Sequence, residues 1–260
     1  MSNQNLNIFE STKPILYLVA SKNTFGANRS EEEFLGIVRE ALAGENGVDM
    51  LQLREKNLDA KDFYALACRV KSICDECGKM LIINDRIDIA LACKANGVHI
   101  GVKKDLPVRV AREILGEDKI LGLSLNQASE IESLGEDIFC ADYLGVGAVW
   151  DTTTKADAIT IGVDGLANII KKIATISKSA TKSTPKTTSK STAKSASKST
   201  SKQAKTLPII AIGGIYEHNV CELAGLELAG VAVVRAIMDA KNPKLASQNL
   251  KEKILATFGK

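Results

Sequence analysis

Eight short apolar runs, each followed by a stretch of helical periodicity, limit what this chain can fold into more than any other feature. They are "ILYLV" (15–19), "MLQLR" (50–54), "MLIIN" (80–84), "GVHIG" (97–101), "ILGLS" (120–124), "YLGVGAV" (143–149), "PIIAIGG" (208–214) and "GVAVVRAI" (230–237). Valine, isoleucine and leucine fill both faces of these runs, the pattern of parallel strands covered on both sides. The segments between them carry helix boundaries. Ser30 with Glu33 fits a capping box, Asp59 caps a helix stopped at Gly78, Pro107 suits a first helical turn, and Gly116 ends that helix. Helical segments around 126–137, 163–176, 217–225 and 243–257, with a short one at 86–95, complete the set. Eight strand–helix pairs in about 230 residues predict an α/β fold, a (β/α)8 TIM barrel; an open doubly wound sheet is the competing arrangement.

Residues 178–205, "KSATKSTPKTTSKSTAKSASKSTSKQAK", stand outside that pattern. Lysine recurs every fourth residue from Lys178 to Lys202, Lys205 follows, and Ser, Thr and Ala fill most of the space between. Such a segment cannot bury enough apolar surface to offset its ordering entropy, so disorder is expected there, as a low-complexity insertion within one barrel spanning 1–260. It holds eight of the 34 basic residues and no Asp or Glu, and setting it aside turns the net charge of +3 into −5. A mildly acidic remainder argues against a nucleic-acid role for the whole protein. Contact with nucleic acid or another polyanion through 178–205 is the rival from a different functional class. The insertion lies between the sixth helix and the seventh strand, hence on the N-terminal face of a barrel, whereas active sites of such barrels lie on the C-terminal face.

No apolar run approaches the ~18 residues of a membrane span, and "MSNQNLNIFE" lacks a signal-peptide pattern, so no membrane association and a cytoplasmic location are expected. Of the six cysteines, only Cys74 and Cys77 form a C-x-x-C, with no second pair; buried thiols are expected rather than zinc or redox chemistry.

Polar groups recur at the C-terminal ends of the apolar runs. They are "QLREK" (52–56), "ND" (84–85), Asp105, Ser124, "TTTK" (152–155), Gly213 with Gly214, and Arg235. Arg54, Lys56 and Lys155 are cations suited to phosphate oxygens. Asp85 and Asp105 offer hard carboxylate oxygens, and two carboxylates completed by water and substrate phosphate are the usual way to hold Mg2+. Glycines after the seventh strand, with the loop after the eighth, form the usual phosphate corner of a barrel. Any one of these taken alone reads as a surface ion pair, a loop cap or a tight turn. Their recurrence at six or seven strand ends points instead to one site for two phosphorylated small-molecule substrates and a divalent metal. His99 reads as a strand histidine held by hydrogen bonds and His218 as an ordinary residue near a helix start, so a Ser-His or Cys-His nucleophile is not expected.

"LYLV", "QLREK", "LIINDRIDIALA", "GVHIG" followed by "DLP", "AREILG", "LGLS", "ADYLGVGAVWDTTTK", "PIIAIGGI" and "GVAVVRAI" together closely resemble the thiamine phosphate synthase family, in order and over nearly the whole chain outside the insertion and termini. The resemblance implies a transferase of thiamine biosynthesis. It would join 4-amino-2-methyl-5-hydroxymethylpyrimidine diphosphate to 4-methyl-5-(2-phosphoethyl)thiazole, or its carboxylated form, by a dissociative Mg2+-assisted departure of diphosphate. It implies that Gln52, Leu53, Arg54, Glu55, Lys56, Asn84, Ser124 and Lys155 bind the pyrimidine diphosphate, with Arg54, Lys56, Lys155 and Ser124 carrying the catalysis. Asp85 and Asp105 would hold Mg2+, and Thr152, Thr153, Thr154, Gly214, Val234 and Arg235 would bind the thiazole phosphate.

Four departures from the family pattern stand out. Arg235 replaces a usual Ser, "GVKKDLP" is one residue longer than usual before its aspartate, Ala148 replaces a common Pro, and Trp150 replaces a smaller aromatic. A related thiazole tautomerase resembles the synthase but relies on a histidine near the fifth strand end, where this chain has "GLSLNQ".

Overall fold

The computed structural model describes residues 6–9, 11–22, 29–153, 159–180 and 207–259. All eight apolar runs are parallel strands: β1 (Ile15–Ala20), β2 (Met50–Leu53), β3 (Met80–Asn84), β4 (Gly97–Gly101), β5 (Ile120–Leu125), β6 (Tyr143–Val146), β7 (Ile209–Ile212) and β8 (Gly230–Val233). Each pairs with the next in sequence, and β8 pairs back onto β1 with Tyr17 opposite Ala232, so the sheet closes into a barrel. Closure excludes the open doubly wound alternative.

The helices α1 (Glu31–Leu42), α2 (Ala60–Glu76), α3 (Ile87–Ala92), α4 (Val108–Leu115), α5 (Ala128–Leu134), α6 (Gly162–Ala180), α7 (Arg235–Met238) and α8 (Pro243–Phe258) alternate with the strands, apart from a 3-10 turn after β7. Ser30 Oγ accepts from Glu33 N at 3.2 Å and Asp59 Oδ1 from Asp62 N at 2.8 Å, each satisfying an orphan amide of the first turn. Pro107 stands one position earlier than expected, as the N-cap of α4.

Several boundaries shift from the sequence reading, for local reasons. β7 stops before Gly213, whose φ of 102° leaves the extended region, and β8 stops before Val234, whose ψ of −82° starts α7. The segment 217–225 forms only the 3-10 turn Val220–Leu223, because Gly225 with φ 80° ends it before an α-helix can propagate. Helix α6 continues through Lys178 to Ala180, three residues into the lysine-rich stretch. The rest of that stretch, for which disorder is expected, lies outside the described residues. It joins the end of α6 to the start of β7, the N-terminal edge of the barrel.

That N-terminal edge is held by residues just ahead of the even-numbered strands. Asp49 Oδ2 accepts from Leu16 N at 2.7 Å, Asn96 Oδ1 from Leu81 N at 3.0 Å, and Asp142 Oδ2 from Leu121 N at 2.8 Å. The two carboxylates among them also take a buried cation from a helix. Lys251 of α8 donates to Asp49 at 2.5 Å and to Pro14 O at 2.7 Å. Arg112 of α4 donates to Asp142 at 2.5 Å and to the carbonyls of Cys140, Gly116 and Lys119. All six cysteines are free thiols, and burial pushes Cys74 up to about 12, so it packs as an unreactive thiol.

Removing Arg112 would strand the Asp142 carboxylate, and the loss of one partner from a buried pair costs about 3–5 kcal/mol. Arg112→Ala should therefore lower the urea midpoint strongly. Asp142→Asn placed on top of it should recover part of the loss, because the uncompensated charge is gone. A midpoint for the single variant equal to the parent would show that the pair does not hold α4 to the barrel.

Candidate active site

Alternation along β2 and its extension sorts "QLREK" into two sets. Gln52, Arg54 and Lys56 line a cavity of about 240 Å3 at the C-terminal mouth of the barrel. Leu53 and Glu55, also expected to bind the pyrimidine diphosphate, do not line it. With a side-chain period of two, they point away from the barrel axis. Leu53 is fully buried, and Glu55 Oε1 accepts from Lys22 N at 2.5 Å. Burial pushes the Glu55 carboxyl up, against the Lys22 amide, Ser21 and the charges of Lys22 and Arg54, so this side chain serves the loop after β1.

Strand β3 ends in Asn84 with Asp85 directly after it, and the loop after β4 brings Asp105 to the same wall. Asp85 adopts φ 61°, in the left-handed region that non-glycine residues enter at a cost, while its amide is held by His99 O at 2.9 Å. Asp105 Oδ2 accepts from Gly101 N at 2.6 Å. The two carboxylates lie within hydrogen-bonding reach of each other. Burial pushes the Asp85 carboxyl up, the Asp105 charge adds to this, and the Lys56 ammonium opposes it. Two half-buried carboxylates facing one another are a hard-oxygen pair that a divalent cation would relieve. Among the described residues no cluster of three or more His, Cys, Asp or Glu side chains forms, so such an ion would need oxygens from water or ligand.

Beneath these groups the barrel interior is polar where a core is ordinarily aliphatic. Tyr17, Tyr143 and His99 line the cavity together with Gln52 and Ser124. His99 bonds Tyr143 Oη through Nδ1 at 2.9 Å and Ser124 Oγ through Nε2 at 2.8 Å, as expected of a strand histidine held in place. The sequence reading missed the two tyrosines. Each sits in an apolar run, and only the inward half of the strand alternation marks them.

On the far wall, Gly213 and Gly214 have φ of 102° and 66°, and a Cβ on either would fall within 2.6 Å of Ala148 or Trp150. Glycine is required there, and the backbone is left open to the cavity. Asn219 pins this turn, donating to Gly214 O at 2.9 Å and accepting from Tyr216 N at 2.8 Å. Gly214, Val234, Arg235 and Thr152 all line the cavity. Thr153 does not, but its hydroxyl accepts from Arg235 Nη1 at 3.1 Å, and Arg235 Nε donates to Asp239 at 2.7 Å. Arg235 thus bridges the loop after β6 to α7. Thr154 and Lys155 lie outside the described residues. Lys103 and Lys104, in the lengthened loop before Asp105, add two cavity-lining cations that the sequence reading passed over.

Comparison with known proteins shows the family. The chain matches the family described as thiamine monophosphate synthase over residues 16–177 and 172–237. It is 42% identical over 235 residues to the thiamine-phosphate synthase of Methanobrevibacter smithii, covering 90% of this chain and 92% of that one. It is 39% identical over 239 residues to a thiamine-phosphate synthase of Campylobacter jejuni, covering 92% and 93%. Among solved structures, thiamine phosphate pyrophosphorylase from Pyrococcus furiosus superposes with a TM-score of 0.70 at 28% identity, over 95% of this chain and 98% of that one. With the profile spanning most of the barrel and relatives this similar over nine-tenths of its length, the chain belongs to the thiamine monophosphate synthase family.

Proposed function

We propose that this chain joins 4-amino-2-methyl-5-hydroxymethylpyrimidine diphosphate to a thiazole phosphate, releasing diphosphate and thiamine phosphate. The observation that carries this reading is the pairing, at one barrel mouth, of two facing carboxylates with the cations Arg54 and Lys56. The bond between the pyrimidine methylene and the diphosphate oxygen breaks, its electron pair leaving with diphosphate. The thiazole nitrogen then supplies the pair for the new C–N bond. No proton has to be removed at the reacting carbon. This suits a site whose one interior histidine already has a hydroxyl on each ring nitrogen. What remains for the protein is alignment of two partners and neutralisation of the leaving group.

In this assignment Arg54 and Lys56, with Lys155, take diphosphate oxygens, while Gln52, Asn84 and Ser124 orient the pyrimidine diphosphate. Asp85 and Asp105 fit Mg2+, which when bound would offset phosphate charge in the leaving group. Thr152, with Thr154 and the backbone at Gly214, Val234 and Arg235, would take the thiazole phosphate, and the Arg235 guanidinium adds a cation where the family usually has Ser. Both substrates are phosphorylated and do not cross a bilayer unaided. No described helix is long and apolar enough to cross a membrane, and a cytoplasmic site of action is part of the proposal. The chain is read as one barrel, with the lysine-rich insertion away from the chemistry.

Purified protein mixed with both substrates and Mg2+ should form thiamine phosphate and diphosphate; no product at any Mg2+ concentration would remove the proposal. Arg54→Ala should lower kcat by roughly 100- to 1,000-fold, the scale of losing one electrostatic donor to developing charge. Asp85→Ala should abolish Mg2+-dependent turnover while leaving the circular dichroism spectrum intact, and normal diphosphate release by that variant would show the metal assignment to be wrong. Replacing 181–205 with a short Gly/Ser linker should leave turnover largely intact, because the insertion joins at the opposite edge of the barrel. A tenfold loss in folded protein would place the insertion in the reaction.

A further inference from the structure

Five side chains from five strands form one hydrogen-bonded line across the barrel interior. Gln52 Nε2 donates to Tyr17 Oη at 2.8 Å, Tyr17 Oη meets Tyr143 Oη at 2.9 Å, and Tyr143 Oη meets His99 Nδ1 at 2.9 Å. His99 Nε2 meets Ser124 Oγ at 2.8 Å. Both ends, Gln52 and Ser124, are residues the proposed function uses to hold the pyrimidine diphosphate.

The Gln52 amide, donating to Tyr17, sets the direction of the whole line. The Tyr17 hydroxyl is fully buried, and it accepts from Gln52, so its own hydrogen goes to Tyr143; a buried O–H with no acceptor is costly. Tyr143 must then donate to His99 Nδ1. That puts the imidazole proton on Nε2, which donates to Ser124 Oγ. The serine hydrogen is thereby left for the cavity, and at the other end the Gln52 amide oxygen is left as an acceptor. Turning the Gln52 amide over would reverse every bond and exchange the two ends, so neither end is set independently of the other.

The neighbouring strands leave room for this line and for little else. Gly122 on β5 pairs with His99 on one side and Tyr143 on the other. A Cβ there would fall 2.4 Å from both His99 Nδ1 and Tyr143 Oη, the two atoms of one hydrogen bond. A Cβ on Gly145 would come within 3.0 Å of the His99 ring. These two glycines sit inside strands, where glycine otherwise weakens pairing.

We propose that Tyr17, Tyr143 and His99 are positioning residues that lock an acceptor at Gln52 and a donor at Ser124. Such a pair selects a ligand presenting an N–H group at one end and a nitrogen or oxygen acceptor at the other, as an aminopyrimidine with an attached phosphate does. This rests on the proposed substrate, but the locked polarity itself does not.

The chain has only two histidines, so 15N-labelled imidazole signals can be assigned by comparing the parent with His218→Gln. The expected result is a neutral His99 carrying its proton on Nε2. Tyr143→Phe removes the donor to Nδ1, and His99 should then show both tautomers. In the same variant kcat/KM for the pyrimidine diphosphate should fall roughly tenfold, the worth of about one such hydrogen bond, with KM for the thiazole phosphate unchanged. A parent His99 protonated on Nδ1 would overturn the proposal, as would a Tyr143→Phe enzyme with unaltered kinetics. If Tyr143→Phe fails to fold, the parent imidazole signals still decide the polarity. A parent protein that makes no thiamine phosphate would sink the substrate reading while leaving the tautomer measurement to judge the line.

Discussion

The pairing of β8 with β1 is the constraint on which everything else in this molecule rests. An open sheet has two faces and two edges; a closed one has an inside, an outside, and two ends that differ chemically. Closure makes strand alternation radial, so that Tyr17, Gln52, His99, Ser124 and Tyr143, remote in sequence, share one interior and reach one another. It also gathers the residues that follow each strand into a single mouth.

The two ends of the barrel divide the labour. At the N-terminal end the buried charges are consumed internally: Asp49 by Lys251 and a strand amide, Asp142 by Arg112 and another. In each, one carboxylate oxygen takes both a strand amide and a helix cation, so these charges hold helix to strand. At the C-terminal end Asp85 and Asp105 face each other, with the Lys56 ammonium only partly offsetting their mutual repulsion, and Asp85 occupies a left-handed backbone conformation. Like charges held together in a strained, half-buried setting are tolerated where function requires them. The lysine-rich insertion joins α6 to β7 at the first of these ends.

The proposed reaction asks for charge and alignment rather than for a nucleophile or base, and the site is composed accordingly. Cations and carboxylates ring the mouth, glycines open the backbone on one wall, and the interior supplies fixed hydrogen-bond donors and acceptors. Fixed dipoles need no reorganisation as charge develops, and this is where such a site gains its advantage over water.

Much of this was legible in the chain itself. Eight double-faced apolar runs can be buried only in a sheet covered on both sides, and Asp59 or Gly116 mark helix ends because orphan amides and positive φ have few solutions. The positions of Arg54, Lys56, Asn84, Asp85, Asp105, Ser124 and Gly214 after those runs located the mouth. Local pattern could not separate Leu53 and Glu55 from their neighbours, since alternation acquires a direction only when the barrel axis exists. Nor could it find the tyrosines, whose hydroxyls are hidden in strands that read as apolar, or the role of Gly122, which depends on what lies across two neighbouring strands. Sequence alone therefore determined the number and order of elements and which residue types stand at their ends, because these follow from short-range sterics and burial. Tertiary structure alone decided closure, the inward or outward sense of each strand, and the line from Gln52 to Ser124, because hydrogen bonds between residues up to 126 positions apart exist only once the barrel has brought their strands together.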